Sequence, residues 1–183
     1  KNNKSYSDDF NIKSNNSFKK INISRISSLR TVTDIERFAG KKFSEIERKK
    51  NLKVSVIVEE KNIGEIQYEE IIASLASGFN LKNYSFRKYR SKVRPIHASI
   101  DKITFITNNP DKVEKKFKYF EKISQGVFLT RDLVSEPANV LFPEQFVQSC
   151  KKLSKAGIAM EVFDEKRIKS LKMNALLGVA QGS

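Results

Sequence analysis

The sequence is poor in the residues that carry most nucleophilic and metal chemistry. Its 183 residues include one cysteine, Cys150, one histidine, His97, and no tryptophan. One cysteine cannot form an internal disulfide, so the composition fits a reducing compartment, and the apolar residues that flank Cys150 predict a structural thiol. A Ser-His-Asp or Cys-His arrangement could use only His97, which lies in a segment distant from Cys150. We therefore expect no nucleophilic triad in these residues.

Membrane and nucleotide signals are also missing. No apolar run approaches the roughly 18 residues that a membrane-spanning helix needs, and no apolar segment follows the first lysines as in a secretory signal. The sequence has no phosphate-binding loop, no Gly-x-Gly-x-x-Gly fingerprint and no calcium-loop pattern of carboxylates. These absences predict a soluble, cytoplasmic protein without a nucleotide-binding motif.

Positive charge is the strongest bulk property. The chain has 35 basic and 21 acidic residues, which gives a net charge of +14. Such a charge favours a nucleic acid or another acidic partner. Asn, Lys and Ile are all abundant and all have A/T-rich codons, so the composition of an AT-rich genome is the alternative explanation. Genome composition is the favoured explanation, and an acidic partner stays open as the other.

The first half of the chain alternates between polar stretches and short apolar elements. Residues 1–30 are rich in Asn, Ser and Lys, which predicts a flexible basic arm. Thr33 and Asp34 could cap a helix that Gly40 interrupts. The β-branched run KVSVIV (53–58) predicts a buried strand.

The middle of the chain predicts a helix, a strand and a second helix. Apolar residues over 66–79 recur at helical spacing and predict an amphipathic helix against a sheet, ending around Gly78. Residues 100–107 predict another strand. The apolar residues of 111–134 recur at helical spacing, which predicts one long helix. Gly126 should weaken this helix locally, since glycine in a helix interior costs about 1 kcal/mol relative to Ala.

Shorter elements follow this helix. Pro137 forces it to end, because proline is incompatible with a helix interior. A further helix is predicted from Pro143 to Gly157, and strands are predicted at 158–162 and at 175–180. The residues predicted to face inward from that helix are Phe146, Cys150 and Leu153. Helices that alternate with short strands indicate an α/β fold.

Two segments carry a family resemblance. They are RDLVSEPANVLFPE (Arg131–Glu144) and ALLGVAQGS (Ala175–Ser183). They resemble the leucyl aminopeptidase family, also called cytosol aminopeptidases, in which a helix ends at an Asp-Leu-Val-x-Glu-Pro-x-Asn turn and a strand runs into Gly-x-x-Gln-Gly-Ser. The resemblance is best over 123–183. A weaker similarity over 70–91 (EIIASLASGFNLKNYSFRKYRS) is to the segment that closes the family's N-terminal domain.

The resemblance implies a domain plan. The fold expected from it is α/β, with an N-terminal macro-domain-like mixed sheet flanked by helices, a long linker helix and the first α/β elements of a truncated catalytic domain. The expected parts are a basic arm (1–30), the N-terminal domain (31–109), the linker helix (110–135) and an incomplete catalytic domain (136–183).

The resemblance also implies an activity for the parent protein. Family members are hexameric exopeptidases that remove N-terminal amino acids from peptides, using two divalent ions, manganese or zinc, to activate a water molecule. Their ligands belong to a Lys-Gly-x-x-Phe-Asp-Ser-Gly-Gly tract and an Asn-Thr-Asp-Ala-Glu-Gly-Arg tract, neither of which occurs in this sequence. We expect both beyond Ser183, assign no catalytic or metal-binding residue here, and expect this segment alone to be inactive. Asp132, Glu136 and Asn139 are expected to cap and orient the turn around Pro137.

A second function class rests on the segment Leu81–Arg94, which interleaves aromatic and basic residues and contains no acids. Such a mixture can contact phosphates and stack bases, so a basic DNA-binding or assembly module, or a non-catalytic remnant of the enzyme, is the alternative function. The candidate nucleic-acid-binding residues are Lys82, Arg87, Lys88, Arg90, Lys92 and Arg94. The competing and favoured interpretation is a solvated surface whose aromatic residues, Tyr84, Phe86 and Tyr89, pack inward.

Overall fold

The computed structural model describes residues 7–14, 17–26, 29–46, 52–90 and 100–181. The chain divides into two compact units, Lys1–Arg131 and Asp132–Ser183. None of the helices in the described ranges combines the length and the apolar character that crossing a membrane requires. The α/β class predicted from the sequence is confirmed, because helices and two small sheets share the chain.

The first unit begins with a β-hairpin. Strands β1 (Ser7–Ser14) and β2 (Ser17–Ser24) pair antiparallel, and Phe10 lies opposite Ile21 in the register. The sequence predicted an arm without regular structure over 1–30, and the hairpin corrects that prediction for these residues. The apolar residues of this stretch follow the period of two that a strand requires, although they are widely separated by polar ones.

Helix α1 (Val32–Ile46) begins with a reciprocal cap. The Asp34 backbone N–H donates to the Thr31 hydroxyl at 3.1 Å, and Asp34 Oδ2 accepts from the Thr31 backbone N–H at 3.0 Å and from its hydroxyl at 2.8 Å. This exchange satisfies backbone donors that a helix start leaves unpaired. Of the two residues predicted to cap the helix, Asp34 takes part and its partner is Thr31 rather than Thr33; the helix continues through Gly40 without interruption.

A βαβ unit follows. Strand β3 (Leu52–Ile57) and strand β4 (Ile100–Ile106) are parallel, with Val56 opposite Phe105, and helix α2 (Tyr68–Asn83) lies between them in the chain. Both predicted strands are confirmed. Val56 and Phe105 pack against the core, whereas the side chain of Ile57 is 75% exposed. The sheet therefore buries one face, and the prediction of a fully buried strand is wrong for the other.

The core of the first unit lies where α1 meets α2. Gly78 is buried at this crossing, and a Cβ added there would lie 2.4 Å from the Glu36 carbonyl oxygen and 2.7 Å from the Ala39 Cβ. The sequence predicted that the helix ends around Gly78, but α2 continues to Asn83, so this glycine permits close helix packing instead. The fully or nearly fully buried residues of the cluster are Ile35, Ala39, Phe43, Ile71, Leu75 and Phe79.

The predicted long helix is confirmed as α3 (Pro110–Ser135), which runs unbroken through Gly126. Its first turns lie along α2, where Lys112 Nζ is 3.8 Å from Glu69 Oε1 and Lys116 Nζ is 3.5 Å from Glu70 Oε2. Partly exposed ion pairs of this kind contribute at most about 1 kcal/mol each. Phe120 is the buried apolar residue of α3 within the described part of the first unit.

The second unit is helical in its described residues. It contains α4 (Pro143–Lys151), a 3-10 turn (Lys152–Ala156), α5 (Glu165–Ser170) and α6 (Asn174–Ala180). The predicted stop at Gly157 is confirmed by its left-handed φ of 82°.

The two strands predicted in this unit are wrong. Residues 158–164 have no regular structure, and 175–180 lie in α6. A strand needs neighbouring strands to pair its backbone N–H and C=O groups. The described residues of this unit include no strand that could pair with either segment. Ala and Leu, which dominate α6, are good helix formers, so the local preference decides its structure.

The glycine at the helix crossing leads to a stability prediction. Gly78→Ala should lower the free energy of unfolding by about 1–3 kcal/mol, because the new methyl group overpacks the contact with α1. Gly126→Ala is the matched control, since no atom lies within 4 Å of its added Cβ. It should raise the free energy of unfolding by about 0.5–1 kcal/mol through helix propensity. Urea unfolding measures both, and a Gly78→Ala variant as stable as the parent would contradict the packing argument.

The cap of α1 leads to a pH prediction. The hydrogen bond from the Thr31 hydroxyl, followed by that from the Arg30 backbone N–H, holds the pKa of Asp34 below its usual value of 3.8. A lowered pKa in the folded state adds stability that is present above pH 3.8 and is lost as the pH falls further. Asp34→Asn should therefore lower the melting temperature at pH 7, and the effect should shrink as the pH falls below 3.8. Glu59→Gln, an exposed loop position, should be neutral over this range, and a pH-independent effect of Asp34→Asn would refute the linkage.

Candidate functional site

The described residues do not assemble a metal centre. No group of three or more His, Cys, Asp or Glu side chains in these ranges is placed to hold a metal ion. Cys150 is a free, half-buried thiol in α4, and His97 lies outside the described residues.

The turn around Pro137 is organised by backbone groups. Its carbonyl oxygen accepts hydrogen bonds from the N–H groups of Val140 and Leu141, both at 2.9 Å. Asn139 is exposed. The capping role expected for Asp132, Glu136 and Asn139 stays a prediction.

The second unit exposes the side chains that would ordinarily form a core. Of the residues predicted to face inward from α4, Cys150 and Leu153 are half-buried, but Phe146 is 48% exposed. Not one described side chain between 132 and 181 is buried. The large apolar residues that are exposed here are Val134, Phe142, Phe146, Ile158, Met160, Val162, Phe163, Leu171, Met173, Leu176 and Val179.

The basic segment after α2 presents four of its six candidate cations to solvent. Lys82 lies in the last turn of α2, and Arg87, Lys88 and Arg90 lie in the loop that follows, all four with exposed side chains. Lys92 and Arg94 lie outside the described residues. Arg87, Lys88 and Arg90 lie close together in the chain, and Lys82 lies five residues before Arg87.

The aromatic residues of this segment divide into two groups. Tyr84 is half-buried and stacks on Phe128 of α3, with ring centroids 5.2 Å apart and planes at 15°. Phe86 contacts Tyr89 at 5.9 Å, and Tyr89 is 51% exposed with Lys88 Nζ 5.4 Å from its ring centroid. Inward packing holds for Tyr84 and not for Tyr89.

Arg131 is a contributor that sequence reasoning missed. Its Nη1 donates to the Leu81 carbonyl oxygen at 2.8 Å, and its guanidinium carbon lies 5.4 Å from the Tyr84 ring centroid. A guanidinium near an aromatic ring at this distance is a favourable cation–π contact. Arg131 is fifty positions from Leu81, so only the three-dimensional structure brings it beside the basic segment.

Comparison with known proteins gives one consistent family. Residues 128–183 match the model of the cytosol aminopeptidase family, catalytic domain. A probable cytosol aminopeptidase of Brucella anthropi is 37% identical over 153 residues, which cover 80% of this chain and 30% of that protein. One of Phytoplasma mali is 42% identical over 115 residues, covering 61% of this chain and 23% of that protein. The chain thus spans under a third of the length of these relatives.

Solved structures agree on the fold. A mutant of tomato leucine aminopeptidase aligns with a TM-score of 0.65 at 21% identity, covering 90% of this chain and 33% of that one. The bottromycin maturation enzyme BotP aligns with a TM-score of 0.61 at 17% identity, covering 90% and 35%. At these identities the likeness concerns the fold alone. The resemblance stated from the sequence is confirmed by the matches to the family model and to the relatives: the chain belongs to the cytosol aminopeptidase family.

Proposed function

We propose that this chain is the N-terminal domain and the first part of the catalytic domain of a metallo-aminopeptidase that removes N-terminal amino acids from peptides. The observation that carries the proposal is the match of 128–183 to the family's catalytic domain, together with 37% identity to a relative over 80% of the chain. The proposed parts are the arm 1–30, the N-terminal domain 31–109, the linker helix 110–135 and the beginning of an incomplete catalytic domain, 136–183.

The metal of this proposed enzyme does not fit the described residues. They offer no cluster of carboxylate, imidazole or thiolate groups, so we derive no catalytic step through them. Two divalent ions, manganese or zinc, remain part of the proposal, supported by a structure of BotP that is described as a complex with Mn. We place their ligands in other parts of the parent protein and propose that the 183 residues alone are inactive.

The exposed apolar side chains of the second unit support an incomplete catalytic domain. Burying a large apolar side chain stabilises a protein by about 1.5–3 kcal/mol, and a folded domain normally buries most of them. Here none of the described residues from 132 to 181 is buried. We propose that further elements of the catalytic domain cover these side chains in the parent protein.

Assembly and location complete this proposal. The family resemblance supports a homo-oligomer, a hexamer, that acts on peptides in the cytoplasm. The described helices contain no membrane span, which is compatible with that location.

A DNA-binding role is the second candidate, because the loop after α2 presents cations beside an exposed aromatic ring. Arg87, Lys88 and Arg90 are exposed, and Tyr89 between them is 51% exposed. Cations that neutralise phosphates and a ring that stacks on a base are the two elements of single-strand binding. This role would add to the peptidase activity or replace it in a remnant.

The peptidase proposal predicts a difference between the parent protein and this chain. Full-length protein loaded with Mn²⁺ or Zn²⁺ should release leucine from a leucyl peptide and lose activity with a chelator, because metal-activated water is the nucleophile. The 183-residue chain, assayed with the same ions at the same concentration, should not exceed the uncatalysed rate. Hydrolysis by the short chain, or none by the metal-loaded parent, would refute the proposal.

The DNA-binding candidate predicts a localised charge effect. Replacing Arg87, Lys88 and Arg90 by Glu should weaken single-stranded DNA binding and reduce the slope of log K against log salt by about 2, since each phosphate contact contributes about 0.7. The matched control replaces Lys115, Lys118 and Lys122, which are exposed on α3, by Glu for the same change in net charge. DNA affinity is measured by fluorescence anisotropy. An equal loss of affinity in both triple variants would show that the effect comes from net charge alone and would contradict a localised site.

A further inference from the structure

A second basic feature of the first unit is an open groove between α1 and α2. It has a volume of about 420 Å³, and the end of α3 reaches it through Arg131. Gly40 and Gly78 are among its lining residues. A Cβ added at Gly40 would lie 3.9 Å from the Lys82 Cβ, an ordinary van der Waals distance. Its volume falls within the range of about 300–1,000 Å³ that is typical of small-ligand sites.

Three cations surround the groove. Arg37 of α1, Lys82 of α2 and Arg131 of α3 all line it. Among its described lining residues the acidic side chain is Glu36, whose Oε1 accepts a 2.7 Å hydrogen bond from the Ser77 hydroxyl. Within the described chain neither Arg37 nor Lys82 forms an ion pair within 4.0 Å, although the charge of Arg37 also acts on the Asp34 carboxylate three residues earlier. The groove therefore gathers positive charge that an anionic ligand would compensate.

Arg131 is held in place before any ligand binds. One of its N–H groups donates to the Leu81 carbonyl at 2.8 Å, and its guanidinium lies near the Tyr84 ring. Tyr84 in turn stacks on Phe128. A guanidinium has five N–H donors, so a single carbonyl contact leaves donors for a second acceptor. Fixing the guanidinium in advance reduces the entropy lost on binding.

We propose that this groove binds a phosphate group through Arg37, Lys82 and Arg131. Arginine forks match the oxygen spacing of phosphate and carboxylate, and the presence of three cations favours the dianion over the monoanion. The phosphate could belong to a small phosphorylated molecule or to a nucleic acid backbone, and these sources share the same chemistry. The site differs from the exposed loop at Arg87–Arg90, with which it has no lining residue in common. It does not depend on the proposed peptidase activity.

The test is a titration of the full chain with inorganic phosphate by calorimetry at low ionic strength. Arg37→Gln and Lys82→Gln should each weaken binding about tenfold, as expected for the loss of one charge-assisted contact. Both side chains are exposed, so these variants should fold. Arg131→Gln should weaken binding at least as much, and circular dichroism checks its fold because Arg131 also packs on Tyr84. Lys115→Gln, an exposed lysine of α3 outside the groove, is the matched control and should bind like the parent.

Competition identifies the source of the phosphate. A short single-stranded oligonucleotide that displaces inorganic phosphate in the parent, but not in the Lys82→Gln variant, would support a nucleic acid backbone in the groove. Phosphate binding without such competition would support a small phosphorylated ligand. The proposal is overturned if no phosphate binding is detected at phosphate concentrations up to about 10 mM, which corresponds to a binding free energy of only about −3 kcal/mol. It is also overturned if the three groove variants and the Lys115→Gln control bind phosphate equally.

Discussion

The close crossing of α1 and α2 is the constraint on which the first unit depends. At Gly78 the two helices approach so closely that even a methyl group would meet the Glu36 carbonyl oxygen at 2.4 Å. That approach lets Phe43 of α1 contact Phe79 of α2, with ring centroids 6.0 Å apart, and Phe79 contacts Phe105 of β4 at the same distance. The crossing, the aromatic contacts and the buried face of the sheet therefore form one continuous core, and the absence of one side chain allows it.

The same crossing shapes the proposed phosphate groove. The lack of a side chain at Gly78 lets the helices approach closely, and both Gly40 and Gly78 line the groove beside their contact. Ser77, one residue before Gly78, donates to Glu36 and so engages the carboxylate that would oppose an anion. Packing and charge are thus coupled, since a substitution that separates the helices would also move Arg37 away from Lys82. A substitution at Gly78 should therefore lower both stability and phosphate affinity, whereas a substitution at Arg37 should lower phosphate affinity alone.

The sequence predicted those elements whose structure is decided by local periodicity. The strands at β3 and β4 and the helix α3 have apolar residues at the spacing that their own packing requires, and each was placed correctly. The use of Gly78 was missed, because a glycine near a helix end and a glycine at a helix crossing look alike in one dimension. Arg131 was missed for a different reason: its contact with Leu81 joins residues fifty positions apart, which no local pattern indicates.

In the second unit the sequence identifies the family but does not predict the local structure. Residues 128–183 match the family model, yet no described side chain between 132 and 181 is buried. The predicted strand at 175–180 is a seven-residue helix here, and helices this short are marginal in isolation. Leu176 is 51% exposed and Val179 is 73% exposed, so tertiary packing does little to hold α6 in this form. A strand at the same residues would need partner strands on at least one side. The apolar residues that predicted a strand form a short helix instead, because local propensity decides the structure of a segment that tertiary packing holds weakly.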